Sequence, residues 1–146
     1  MTLTALDGKE VMAILTVPIL TKFTEVIDFY KGSALISLFD CVGTLSTHCT
    51  NLNDHLGILM PLLAKKWVQF RNDDRRLLPL MECFEEVARK IGPAAAEHFQ
   101  PVFTRCVEII MQNSSGDGWS VDFLIRSLNL ISAIVTSVGD LAVSLI

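Results

Sequence analysis

Proline returns three times along this chain inside a similar apolar frame: Val17-Pro18-Ile19-Leu20, Met60-Pro61-Leu62-Leu63 and Gln100-Pro101-Val102-Phe103. The prolines lie 43 and 40 residues apart. A proline inside a helix removes one backbone hydrogen bond and bends the axis, so its recurrence at one register marks a repeated unit. A second kind of segment follows each proline: Leu35-Ile-Ser-Leu-Phe-Asp40, Leu77-Leu-Pro-Leu-Met-Glu82 and Leu124-Ile-Arg-Ser-Leu-Asn129. Here a polar residue stands at one fixed point of an apolar helix, at spacings of 42 and 47. The longer last interval contains the Ser/Gly-rich stretch Asn113–Gly118, where extra loop length costs little.

Glycine, proline and Asn/Asp clusters divide the chain into helical stretches at 10–30, 33–49, 54–71, 74–91, 95–113 and 119–138, with a seventh starting near Asp140. No stretch alternates with period two, so the expectation is an all-α chain. Helix pairs of about 40–47 residues are the signature of HEAT or armadillo arrays. The expected architecture is a HEAT-repeat α-solenoid of about three helix pairs (10–49, 54–91 and 95–138), one right-handed superhelical segment over residues 1–146.

With 146 residues, the length suits one domain or a short array. The net charge of −4 argues against a general phosphate-backbone binder and favours basic partners. Mean hydropathy is high at +0.46. Yet the apolar run Val11–Leu20 is interrupted by Thr16 and Pro18 and closed by Lys22, short of the roughly 20 residues a membrane span needs. Met1-Thr-Leu-Thr lacks the basic start and cleavage site of a secretory signal. Neither end carries a polar cap: the first helix is apolar and the last residues are Leu141-Ala-Val-Ser-Leu-Ile146. The expectation is an interior piece of a longer array, or a short chain that covers its ends as a homodimer. Cys41, Cys49, Cys83 and Cys106 form no metal or redox spacing, and each is expected to pack as a small buried hydrophobe in a reduced compartment.

Stacking of the repeats would bring Asp40, Glu82 and Asn129 into one column, because parallel helices pack about 8–10 Å apart. Thr44 lies one turn beyond Asp40, and Glu86 one turn beyond Glu82. Facing solvent, this column makes a ladder of acceptors for Arg or Lys side chains of an extended peptide. Alternatively, each polar group serves a neighbouring backbone or simply solvates. Glu85 and Glu86 are expected to solvate the helix surface, Glu86 with the option of extending the acidic face. Arg71-Asn-Asp-Asp-Arg-Arg76 reads as a solvated turn with local ion pairs, and Lys65, Lys66 and Trp67 as a packing Trp with snorkelling lysines. His48, His55 and His98 lack metal-ligand spacing, and no phosphate loop or nucleophile elbow is present. No enzymatic chemistry, metal, cofactor or nucleic-acid site is indicated.

Four blocks carry a family resemblance: Phe39-Asp-Cys-Val-Gly-Thr-Leu45, Leu59-Met-Pro-Leu-Leu-Ala-Lys-Lys-Trp67, Leu78-Pro-Leu-Met-Glu-Cys-Phe84 and Gln100-Pro-Val-Phe-Thr-Arg-Cys-Val107. In order and spacing they resemble the central HEAT repeats of the transportins, importin-β superfamily receptors (karyopherins) for cargo with proline-tyrosine nuclear localisation signals. The match runs from about residue 10 to 138. The resemblance implies nuclear import, shuttling between cytoplasm and nucleus, and capture of the basic part of a signal peptide by acidic inner-helix residues. Asp40 and Thr44 match the family's Y-D-A-I-G-T-L block, and Glu82 its P-L-L-E-C block. Asn129 stands where the family usually has Asp, which keeps an acceptor but loses the charge. Thr47 occupies a further position that is acidic in the family. The repeats that hold the proline-tyrosine end, and those that bind the GTPase Ran, have no counterpart here, so Ran binding requires N-terminal repeats beyond this sequence. The rival reading is a HEAT scaffold or self-associating module without cargo recognition.

Overall fold

Helix boundaries follow local chemistry closely. In the computed structural model, which describes residues 8–49, 51–113 and 121–140, glycines with positive φ stand at three helix ends. Gly32 (φ 57°) precedes α2, while Gly92 (φ 64°) and Gly139 (φ 57°) follow α4 and α7. That left-handed region is open to glycine at no steric cost. The α-helices are α1 (Gly8–Val26), α2 (Ser33–His48), α3 (Leu56–Gln69), α4 (Leu77–Ile91), α5 (Ala95–His98), α6 (Gln100–Asn113) and α7 (Val121–Val138). Short 3-10 turns extend α1 through Phe29 and lead into α3 at Leu52–His55. The segment is an all-α HEAT-type solenoid. α2, α4 and α7 form one layer with α4 in the middle, and α1 lies beside α3 in the other.

The inner helices run parallel. Gly43 faces Cys83 and Glu86, and four residues on, Thr47 meets Glu86 and Lys90, so α2 and α4 advance in step. Likewise Arg75 pairs with Asp122, and further along Glu82 and Glu85 pair with Arg126. The core runs through all three pairs. Phe84 of α4 is fully buried and makes edge-to-face contacts with Trp67 of α3 and with Phe99 between α5 and α6.

Several expectations are corrected. The stretch 95–113 is not one helix: it breaks at Phe99, and Pro101 is the second residue of α6. In that first turn an N–H has no intrahelical partner to lose, so this proline starts a helix, whereas Pro18 and Pro61 lie inside α1 and α3. α4 begins at Leu77 rather than 74, because Asp74 folds back on Arg76 in the preceding turn. Cys41 is exposed, although Cys49, Cys83 and Cys106 are buried as expected. Lys66 does not snorkel to water: it is buried and donates to Asp28 (3.3 Å) and Gln69 (3.1 Å). Hydrogen bonds from Lys65 and Lys66 hold the Asp28 carboxyl below its ordinary range. Glu85, expected to solvate, is buried. Among the described residues, the helix long and apolar enough to cross a membrane by length and composition is α7, not the run Val11–Leu20, and α7 packs between α4 and α6. The expected helix from Asp140 and the loop 114–120 lie outside the described residues.

Candidate functional site: an acidic groove between α2 and α4

The seam between α2 and α4 opens into a groove of about 440 Å³, lined in part by Asp40, Thr44, Thr47, Glu82 and Glu86. Gly43 and Cys83 form its floor, where the absent side chain at Gly43 leaves room between the helices. The groove exists because both helices present their polar residues on the same edge of the packed layer. Asp40 and Thr44 are one turn apart on α2, as are Glu82 and Glu86 on α4. Asp40, Thr44 and Glu82 are exposed and Glu86 is half-buried. Asn129 is exposed on α7, outside the lining of this groove.

The carboxylates differ in how far they are already engaged. Thr47 Oγ1 lies 2.9 Å from Glu86 Oε2 and 3.0 Å from the Gly43 carbonyl, so its one proton serves either acceptor. Arg89 approaches Glu86 at 3.8 Å and Glu85 at 3.4 Å. Arg126, reaching over from α7, puts Nε 3.3 Å from Glu82 and Nη1 3.6 Å from Glu85. Asp40 makes no hydrogen bond or ion pair among the described residues. The field of the groove is negative. Burial pushes the Cys83 thiol far up, and the carboxylates of Glu86 and Asp40 push it further. Burial also raises Glu85, against the pull of Arg89 and Arg126. The arrangement can accept hydrogen bonds from guanidinium or ammonium groups along an extended chain. Cys83 offers no thiolate to this surface, because it is buried and held as the thiol.

No family model matches the chain. Curated relatives do: Transportin-1 of Oryza sativa is 32% identical over 121 residues, 75% of this chain and 14% of that protein. Transportin-1 of Homo sapiens is 30% identical over 124 residues, again 75% of this chain and 14% of that protein. Importin subunit beta-2 of Saccharomyces cerevisiae is 31% identical over 143 residues, 91% of this chain and 16% of that protein. The chain is a transportin-like member of the importin-β family. It spans about one seventh of the length of the first of these relatives.

In this transportin-like segment, the sequence does not reveal the role of Thr47, which lines the groove, or of Arg126, which pairs with Glu82 from α7. At Thr47 the sequence shows only an acid that is lacking, not the bond its hydroxyl donates to Glu86. Arg126 stood in plain view beside Ser127 and Asn129, but its partners lie 44 and 41 residues upstream. One signal could have found it: Arg126 precedes Asn129 by nearly one turn, so parallel stacking of α7 on α4 brings a cation close to the polar position of the preceding repeat.

Proposed function

We propose that this chain acts within a transportin-like nuclear import receptor, shuttling between cytoplasm and nucleus, and that it receives the basic part of an extended nuclear localisation signal. The α2–α4 groove is the observation that carries this reading: it gathers Asp40, Thr44, Glu82 and Glu86 on one open surface. Asp40 is the principal charge acceptor, since no internal partner competes for it among the described residues. Glu82 and Glu86 add further acceptors and Thr44 a hydroxyl. Asn129 extends the surface on α7 with an uncharged acceptor. The binding is non-catalytic and electrostatic, so it weakens as salt rises. Titration of a fluorescent Arg/Lys-rich proline-tyrosine peptide at low and high ionic strength tests it. Asp40→Ala should weaken binding by several-fold, while Glu25→Ala on α1 leaves it unchanged. Equal effects of the two variants, or no binding at low salt, would refute the proposal.

The second reading, a scaffold or self-associating HEAT module, is favoured by the apolar stripe on α7. Val121, Ile125, Leu128 and Val135 are exposed there at helical spacing. Light scattering across a concentration series separates the readings, since a stable dimer that excludes the peptide supports the second.

A further inference from the structure

We propose that Arg126 is an internal competitor for the basic ligand, pairing with Glu82 on the α4 side of the groove and setting which ligand cations that side accepts. The inference rests on the peptide-binding reading above. A guanidinium is the group that reading assigns to the ligand, and α7 already supplies one. Arg126 is held from below by Glu85, whose side chain is 9% exposed, and meets the half-exposed Glu82 at the surface. Its own side chain is only one-third exposed, so it is anchored rather than trailing in solvent. A tethered cation acts at a high effective concentration against any free one.

The groove is therefore graded. On the α2 side Asp40 is open; across from it on α4, a ligand Arg or Lys must displace Arg126 from Glu82 or share a carboxylate with it, and like charges at that distance repel. Glu86, one turn beyond Glu82, is engaged by Thr47 and Arg89 and so is intermediate in availability. A ligand with its cation at Asp40 on the α2 side and a neutral residue against Glu82 on α4 gains most from such a surface. Arg126 thus determines specificity without forming part of the acceptor set.

The test is a titration of the same Arg/Lys-rich peptide at low ionic strength against the 146-residue chain. The variants are Arg126→Gln, Arg126→Lys and the pair Arg126→Gln with Glu82→Gln. Arg126→Met serves as a second neutral variant that keeps an apolar stem against α4, and thermal melts check each fold. Release of Glu82 should tighten binding roughly fivefold, the order expected for one partly exposed ion pair. Arg126→Lys should stay near the parent, and Glu82→Gln should abolish the gain. If Asp40→Ala weakens binding while both neutral Arg126 variants bind no tighter than the parent, the competitor role is overturned and the groove stands. If no variant binds, both fall.

Discussion

The guanidinium of Arg105 on α6 lies 4.8 Å from the centre of the Trp67 indole and donates to the carbonyls of Trp67 and Phe70 at the end of α3. Its Nε also donates to Asn72 Oδ1 at 2.6 Å. The last carbonyls of a helix have no partner within it, and here a single side chain from the next repeat supplies one. Arg105→Ala leaves those acceptors and the ring face without it. We expect a loss of about 2–3 kcal/mol, the range of several charge-assisted bonds in a partly buried setting. Arg105→Lys should recover only part, since an ammonium cannot present a planar fork to three acceptors. Urea unfolding of the three proteins measures this, and a loss below about 0.5 kcal/mol would show that water satisfies the carbonyls equally well.

Gly43 is buried in the middle of α2, against α4. A Cβ built there would stand 3.7 Å from Glu86 Cγ and 3.9 Å from the Cys83 Cα, which is ordinary contact. Alanine is favoured over glycine inside a helix by about 0.8–1 kcal/mol. Gly43→Ala should therefore raise stability by about 0.5–1 kcal/mol, seen as a higher denaturation midpoint at unchanged slope. A lower midpoint would mean that α4 cannot tolerate even a methyl group in the groove floor.

Burial raises the Glu85 carboxyl above the ordinary value of 4.5, and the neighbouring carboxylates Glu82 and Glu86 add to the rise against Arg89 and Arg126. An acid with a raised folded-state pKa binds its proton more tightly folded than unfolded. Its contribution to stability is therefore lost as pH climbs from 4.5 through the folded-state value. Asp74 has the opposite sign. Hydrogen bonds from Arg76 lower it from 3.8, so its contribution is present above 3.8 and lost on acidification through the folded-state value. Glu85→Gln should become progressively more stable relative to the parent as pH rises from 4.5 toward 7, with a constant difference beyond the titration. Denaturation midpoints measured across that range check it, and a pH-independent difference would contradict it.

Recurrent features were legible in the sequence, and single long-range contacts were not. The repeated proline and polar positions pointed to recurring apolar helices, and the parallel register brings Asp40 and Glu82 to one groove. Pro101 looked equivalent to Pro18 and Pro61 by sequence frame. Its role differs because a proline's effect depends on its distance from the helix start, which the frame does not specify. Glu85 read as a surface residue because charged residues usually solvate, yet α7 lies across that face and supplies Arg126 as its partner. The same gap hid Lys66, whose acceptor Asp28 comes from the preceding helix pair. Pairing across repeats depends on side-chain reach, which a one-dimensional period cannot give.

Phe84 ties the array together. Its ring centre lies 5.3 Å from Trp67 and 5.4 Å from Phe99, at interplanar angles of 83° and 84°, so it joins α3 to the α5–α6 junction through α4. Phe84→Ala opens a cavity in a fully buried site, at a cost of about 3–5 kcal/mol. It also ends two edge-to-face contacts worth about 0.5–1.5 kcal/mol each. Phe84→Leu, which keeps much of the volume, should cost less than half as much. Stacked repeats depend on nearest-neighbour interfaces, so damage at the middle pair should uncouple the ends and not merely weaken the whole. The expected result for Phe84→Ala is a lower midpoint with a shallower denaturation slope, and hydrogen exchange in α1–α2 and α6–α7 no longer moving together. An unchanged slope with uniform loss of protection would instead show that cooperativity is carried by the α2–α4 and α4–α7 seams without this aromatic bridge.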